Sequence, residues 1–336
     1  MRMKPVKKIV ELPLIEPLIS TYHHQGAGLS AIINNPSVIN WYLNNAISLV
    51  CNRDFLFGNT TPKITIEKTH FNTTHCFDTH WYDMRYTKGY INPIIHTLID
   101  NGYYLYFTDF DDYYLDGKSW YNRRHFEHDG CIIGYNQNEK SYCVYAYDEN
   151  WIYRKFWIPQ KSFDKARQSS VKRGKESKIF AYKPSINMFE LDTSSVLSGI
   201  EQYLNSDLNK YPINETGPVF GIVVHTYIAM YIDKIINQSI PYEKADRRIF
   251  RLIWDHKKLM LERLIRTEKA LSLPPIHSEK YKEIVSTANS MRMLYASFFT
   301  KKRYSLLLKI KKMLIELNKQ ETLCLKNFLC VANEVI

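Results

Sequence analysis

A histidine and an aspartate frame the stretch from residue 128 to residue 148, and their placement suits acid–base chemistry. His128 opens the run Asp129-Gly130-Cys131-Ile132-Ile133-Gly134-Tyr135, and Asp148 closes the run Tyr142-Cys143-Val144-Tyr145-Ala146-Tyr147. The polar residues 136–141 between them read as a turn, so the two runs predict a β-hairpin. In an antiparallel pair the start of the first strand and the end of the second lie side by side. The hairpin therefore presents an imidazole beside a carboxylate that can orient it, the arrangement that activates a nucleophile. Upstream, Gly26-Ala27-Gly28 reads as the entry to a helix. A thiol at such a place gains from the helix dipole, and first-turn N–H groups can hold an oxyanion. The residue at the centre of that entry is an alanine.

Other residues compete for these roles. His125 lies three residues before His128 and is a second candidate base. His23 and His24 adjoin the helix entry and could touch substrate. His70, His75, Cys76 and His80 fall within eleven residues, but their spacing matches no standard zinc finger, so no metal is expected. Asp109, Asp111, Asp112 and Asp116 lack the register and closing glutamate of a calcium loop, and read as a solvated loop. With 12 glycines and no phosphate-cradling glycine motif, the chain offers nothing for nucleotide chemistry.

The elements that must position these groups change character along the chain. In the first half, residues 64–70, 103–109, 130–135, 142–148 and 153–158 read as strands, and 28–34, 38–51 and 93–101 as helices. Residues 164–178 are polar and loop-like, and 178–183 form a further extended piece. Beyond residue 194 the periodicity is helical, over 195–205, 218–238, 246–273, 278–300 and 302–331. The expected fold is α+β, with a first domain over 1–165, a connecting segment over 166–194 and an all-helical domain over 195–336.

Composition bounds the rest. The 336 residues are 45% hydrophobic and include 25 tyrosines, a balance that builds a packed core. The N-terminal residues 1–5 are basic, and the following apolar stretch is broken by Glu11 and Pro13. No signal peptide is expected, so the chain is assigned to the cytoplasm, with no membrane association. The six cysteines show no framework spacing and are expected reduced, although Cys131 and Cys143 could face each other across the hairpin. The net charge is +11, and residues 245–320 carry all of it, with 18 Lys and Arg against 7 Asp and Glu. That segment calls for an acidic partner. Arg247, Arg248, Arg251, Lys257, Lys258, Lys301, Lys302 and Arg303 are the candidate contacts.

Residues 20–165 resemble a family. The helix at 91–101, the tyrosine-rich run from Gly102 to Leu115 with its central Thr108-Asp109, the segment from Glu127 to Asn136, and Val144 to Asp148 are similar to the papain-fold cysteine-peptidase relatives grouped with the butirosin H-type and C39-like proteins. In that family a helix follows the nucleophile, a histidine opens a strand ending in Gly-Tyr, and an aspartate closes the next strand. The resemblance implies a papain-like domain, with His128 as general base and Asp148 as orienting acid. It places the nucleophilic cysteine at Ala27. The alanine there has three readings: a replaced cysteine, a natural pseudoenzyme, or a misplaced correspondence. The family's oxyanion glutamine lies about six residues before the cysteine, where this chain has Thr21. Gln25 is two before, so Gln25 and the Ala27 backbone are the oxyanion candidates.

The implied chemistry is acyl transfer through an S-acyl enzyme. Butirosin-type relatives take acyl groups from carrier-protein thioesters to amines, and a similar papain-like protein forms the amide bonds of the polythioamide closthioamide. The expected function is thus an acyltransferase or amide synthase of natural-product assembly, inactive where alanine replaces the cysteine. It needs no cofactor of its own, because the acyl group arrives on phosphopantetheine. Its partners are an acidic carrier protein and an amine acceptor, not nucleic acid. Two alternatives stand beside it: a cysteine peptidase or amidase, and a non-catalytic module whose basic helices bind nucleic acid or another acidic partner.

Overall fold

In the computed structural model, residues 8–58, 60–71, 74–87 and 91–335 are described. The basic residues at the very N-terminus, used above against a signal peptide, lie outside them. The chain begins with β1 (Ile9–Glu11), α1 (His23–Ala31), α2 (Val38–Asn45), β2 (Leu49–Asn52), β3 (Ile64–Ile66) and β4 (Phe77–Asp83). Next come α3 (Ile91–Asp100), β5 (Tyr104–Asp111), β6 (Glu127–Asn136), β7 (Ser141–Tyr147), β8 (Tyr153–Pro159), α4 (Gln160–Lys172) and β9 (Lys178–Pro184). The C-terminal part holds α5 (Thr193–Leu204), β10 (Pro218–Phe220), α6 (Val224–Ile236), α7 (Ile249–Ala270), α8 (Ile276–Lys301) and α9 (Tyr304–Asn333). The fold is α+β: antiparallel sheets with helices, followed by an all-helical C-terminal region. Among the described residues no helix is long and apolar enough to cross a membrane.

The chain divides into two compact units, and both are discontinuous. Unit 1 comprises residues 1–38 and 70–188, and unit 2 comprises residues 39–69 and 189–336. The expected boundaries at 165 and 194 are displaced accordingly. Residues 39–69 join the helical part because β2 pairs with β10 and β3 in a small sheet of their own. Residues 166–188 are no connector, because β9 pairs with both β4 and β5 inside the large sheet of unit 1.

That large sheet runs β4-β9-β5-β6-β7-β8, all antiparallel. β1 extends it by pairing with the far end of β6, beyond the reach of β5. The β6–β7 hairpin forms as the alternation predicts. Its register sets Cys143 opposite Gly134 and Cys131 opposite Tyr145, and all six thiols are free. One face of the sheet packs on α3 and α4 through Ile91, Ile95, Ile99, Phe107, Phe110, Ile132, Val144 and Phe163. α1 packs against β5 and β6.

Three local readings are corrected. Residues 160–172 form a helix rather than a loop. Phe163, Ala166, Arg167 and Ser170 are its buried stripe at i, i+3, i+4 and i+7. Two of those four are polar, which hides the period, yet Arg167 is satisfied inside by the Met84 carbonyl and by Asp164. The expected helix over 38–51 stops at Asn45 and gives way to β2. The Arg263 guanidinium donates to the carbonyls of Leu43 at 2.7 Å and Ala46 at 2.9 Å, taking up the last carbonyls of α2. The expected helix start near residue 218 is the short strand β10.

Unit 2 is built around charges that a surface reading misses. Lys257, a candidate contact for an acidic partner, is completely buried in α7. Its ammonium lies 2.8 and 2.6 Å from the two carboxylate oxygens of Glu321 on α9. Tyr203 of α5 donates to the same carboxylate at 3.2 Å, and Tyr281 of α8 also donates to it. Burial pulls the Lys257 pKa down, and Glu321 opposes that pull. Four helices thus meet on one ion pair whose separate halves could not stay buried. Lys257→Ala should lower stability by about 3–5 kcal/mol by stranding the carboxylate. Lys257→Met combined with Glu321→Leu should recover part of that loss. Urea denaturation checks this, and a Lys257→Ala protein with the wild-type midpoint would contradict it.

Candidate active site

The site forms where β5 ends, β6 begins and α1 starts. β5 and β6 pair regularly at Phe107–Gly130 and again at Phe110–His128, with a register shift between. Two residues, Thr108 and Asp109, therefore stand opposite the single residue Asp129. This is a β-bulge, and Asp109 takes a φ of 57° to accommodate it. Beyond the bulge come two adjacent buried carboxylates, Asp111 as the last residue of β5 and Asp112 as the first of the turn after it.

Each aspartate takes one histidine. Asp112 Oδ2 lies 3.2 Å from His128 Nδ1, and Asp111 Oδ2 lies 2.7 Å from His125 Nδ1. Asp111 also accepts from Ser169 Oγ at 2.6 Å, from the Tyr113 N–H at 3.2 Å and from Arg173 at 3.3 Å. Burial pushes its carboxyl up, but these donors outweigh burial and hold it below the usual range. His125 stacks on Tyr113 at 4.5 Å and is half exposed. Asp111 and His125 thus tie β5, β6 and α4 together.

His128 has the setting a base needs. Its imidazole is about one-quarter exposed, while Asp112 is almost wholly buried. The Lys118 ammonium, also buried, lies 3.2 Å from His128 Nδ1, 3.2 Å from the Asp129 carbonyl and 3.7 Å from Asp112 Oδ1. Burial lowers the Lys118 pKa, and Asp112 and Asp129 counter it. When Nδ1–H donates to Asp112, Nε2 carries the free lone pair and can accept a proton.

Asp148 is not the partner of His128. It closes β7 as expected, but its side chain holds the turn into β8. It accepts from the N–H groups of Asn150 at 2.8 Å and Ile152 at 2.9 Å, and from Arg154 Nε at 2.5 Å. Burial raises its pKa, and the Arg154 contact and the two N–H bonds more than reverse that. An Asx-type turn has claimed Oδ1, and Arg154 has claimed Oδ2.

α1 begins at His23, earlier than expected, and this moves every assignment near residue 27. Tyr22 is the extended residue before the helix, and its carbonyl accepts from the Gln25 and Gly26 N–H groups. The glycines are no helix breakers here. A Cβ on Gly26 would meet the Ile19 carbonyl at 3.2 Å and the Tyr153 ring at 3.4 Å, so glycine permits this close packing. Ala27 is therefore one turn inside α1 and 1% exposed, and Gln25 is fully buried. Gln25 lies in the first turn but is buried, and Ala27 lies beyond that turn, so the expected pair of oxyanion donors does not present itself together at an open helix start.

His23 occupies the helix start instead. Its ring lies 5.0 Å from His128, 5.0 Å from Tyr147 and 5.4 Å from Tyr153. Its Nε2 accepts from the Tyr147 N–H at 3.2 Å. Burial drives its pKa well below the ordinary value, reinforced by Lys118 and then by His128. It packs beside His128 as a neutral ring. Sequence reasoning missed Asp112 and Lys118, and treated His23 only as a possible substrate contact. The signal was present in the tandem Asp111-Asp112, two acids at the end of a strand that opens with the apolar and aromatic run Tyr104–Phe107.

A cleft of about 390 Å³ opens beside this centre. It is lined by His24, His70, Tyr106, Thr108, Asp109, Asp129, Glu176, Lys178 and Phe180. It touches the base through chain neighbours, since His24 follows His23 and Asp129 follows His128.

In unit 2 the remaining basic candidates divide by exposure. Arg247, Arg248, Lys301, Lys302 and Arg303 are exposed, and Arg251 and Lys258 are half-buried. The Arg247 guanidinium lies 4.7 Å from the Phe299 ring, so the start of α7 and the end of α8 share one end of the helical unit. Lys258 lies 4.0 Å from the Trp254 ring and 2.9 Å from Asp255.

Comparison with protein-family models and with curated proteins finds no match. The reading of the site therefore rests on its geometry.

A thiol introduced at position 27 tests the corrected placement. Of the native cysteines only Cys330 is exposed. Ala27→Cys should add no fast-reacting thiol to the single equivalent from Cys330 in a DTNB time course, and should react only on unfolding. A second fast equivalent would return position 27 to the site.

Proposed function

We propose that unit 1 is a general-base acyl-transfer site, passing an acyl group from a carrier-bound thioester to an amine. The contact that carries the reading is Asp112 Oδ2 to His128 Nδ1, a buried carboxylate on a partly exposed imidazole. His128 Nε2 takes the proton of the attacking amine as its nitrogen bonds to the thioester carbon. The tetrahedral adduct then collapses, the C–S bond breaks, and the thiolate leaves with the proton that His128 returns. The positive end of α1 lies at His23, beside His128, and favours the charge that develops on the carbonyl oxygen.

Direct transfer is favoured over an S-acyl enzyme because no activated thiol is at hand. None of the six cysteines stands at the start of α1 or of β6. Burial pushes the Cys51, Cys76, Cys131 and Cys143 thiols up to about 12 and Cys324 to about 11. Thiols so far from ionised at neutral pH are poor nucleophiles. The same fact weighs against a cysteine peptidase or amidase. The papain-like assignment of unit 1 is supported by a helix whose start meets a strand-opening histidine on an antiparallel sheet. It departs from the family in taking its acid from β5 and in placing histidine at the helix start. The donor's acidic carrier is matched by the exposed end of unit 2 that holds Arg247, Arg248, Lys301, Lys302 and Arg303.

The full chain should form hydroxamate from hydroxylamine and an acyl N-acetylcysteamine thioester faster than buffer does, across an acetyl, octanoyl and benzoyl set. His128→Ala should lower that rate about 10²–10⁴-fold, and Asp112→Asn should also lower it. A wild-type rate equal to buffer, or a His128→Ala rate equal to wild type, overturns the reading. Salt-sensitive DNA or RNA binding with no acyl transfer would favour the binding module instead.

A further inference from the structure

The cleft beside His128 has walls of a particular chemistry. Its volume of about 390 Å³ lies in the range of small-molecule sites. Three carboxylates face it, from Asp109, Asp129 and Glu176, against one ammonium, from Lys178. That ammonium pairs with Glu176 at 2.5 Å and lies 5.8 Å from the Trp81 ring, which leaves Asp109 and Asp129 as the net charge of the walls. The cleft is thus negative in a chain whose net charge is +11, so the charge of the whole protein does not explain it.

The remaining wall is flat and aromatic. Tyr106 and Phe180 lie 6.5 Å apart, and His24 stacks on His70 at 4.7 Å. Such faces attract cations and pack methylene chains. The carboxylates are held in place rather than mobile. Tyr106 donates to Asp129 Oδ2 at 2.7 Å, and the β-bulge fixes Asp109. Burial, and then the charge of Asp129, pushes the Asp109 carboxyl up, so a cation between the two would relieve both.

Resting on the acyl-transfer reading, we propose that this cleft is the acceptor subsite and takes a diamine or polyamine. One ammonium is held by Asp109 and Asp129, its methylenes lie on Tyr106 and Phe180, and a second, neutral amino group reaches His128. Acidic walls select cations, and aromatic walls select organic cations over metal ions. Asp129 and His128 are consecutive on β6, so their side chains diverge from one short stretch of backbone, and a chain of methylenes must lead from the held ammonium to the base. An acceptor with two amino groups a few methylenes apart is the molecule that fits both.

Binding is testable without any thioester. In calorimetric titrations of the full chain, cadaverine and spermidine should bind saturably and 1-pentanol should not. Asp109→Asn/Asp129→Asn should weaken the amines at least tenfold, while His128→Ala should still bind them. Should the double variant fail to fold, Glu176→Gln at the exposed rim should weaken spermidine several-fold. No saturable binding of either amine by the wild type overturns the inference, as does unchanged affinity in the double variant, or Ca²⁺ binding in place of amines. Hydroxamate formation is read separately. If it persists while amine binding is absent, only the acceptor assignment falls; if it is absent while amines bind, only the acyl-transfer reading falls.

Discussion

Two adjacent carboxylates at the end of one strand organise unit 1. Asp111 and Asp112 are both buried, and a buried carboxylate persists only where donors replace its water. Asp111 gathers donors from the loop before β6, from α4 and its C-cap, and from the turn that follows β5. Asp112 gathers Lys118 and His128. Because neighbouring residues of a strand point to opposite sides, the pair anchors two separate clusters from one short stretch. One is structural, and the other holds His128, the chain neighbour of Asp129 in the cleft wall. The bulge at Thr108 and Asp109 makes this possible, since the extra residue resets the side to which each acid points.

The sequence revealed the hairpin and its histidine but not the acid. Alternation of apolar and polar residues is a local signal, so β6, β7 and the opening position of His128 were legible. The identity of the carboxylate was not, because it depends on which strand lies beside β6, a pairing between residues sixteen apart with a loop between. Asp148 looked right by position along the hairpin. Its own backbone turn and Arg154 compete for it, and such local side-chain bonds leave little trace in a strand pattern. The start of α1 was misjudged for a related reason. Glycine marks a helix end when a turn needs it, yet Gly26 serves close packing against Ile19 and Tyr153, and these are tertiary neighbours.

Charge counting met the same limit in unit 2. The excess of Lys and Arg over 245–320 is real, but a count assigns every charge to the surface. Lys257 and Arg263 are both fully buried, one on Glu321 and the other on the end of α2. Glu268 likewise accepts from the N–H groups of His277 and Ser278 at the start of α8. The helices themselves were legible because long amphipathic periods survive a few buried ions. Which ions are buried was not, since that is fixed by partners on other helices. The basic surface that remains is smaller than the count implies, and one part of it lies where α7 begins and α8 ends.

The proposed centre and the cleft are joined by two pairs of consecutive residues, His23 with His24 on α1 and His128 with Asp129 on β6. In each pair the first residue belongs to the centre and the second to the cleft wall. Consecutive residues on a helix or strand diverge, so each element serves both regions at a fixed separation that no side-chain rotation can change. Burial, with the charges of Lys118 and His128 acting the same way, holds the His23 pKa well below its ordinary value, and so it can pack against His128 without adding a charge to the centre. Lys118 binds the same two regions from below, touching His128 through its ring nitrogen and Asp129 through its carbonyl. The relative position of proton acceptor and cleft is therefore set by backbone and by buried contacts. That rigidity is what a general-base mechanism requires, because it has no covalent intermediate to hold the acyl group while the acceptor finds its place.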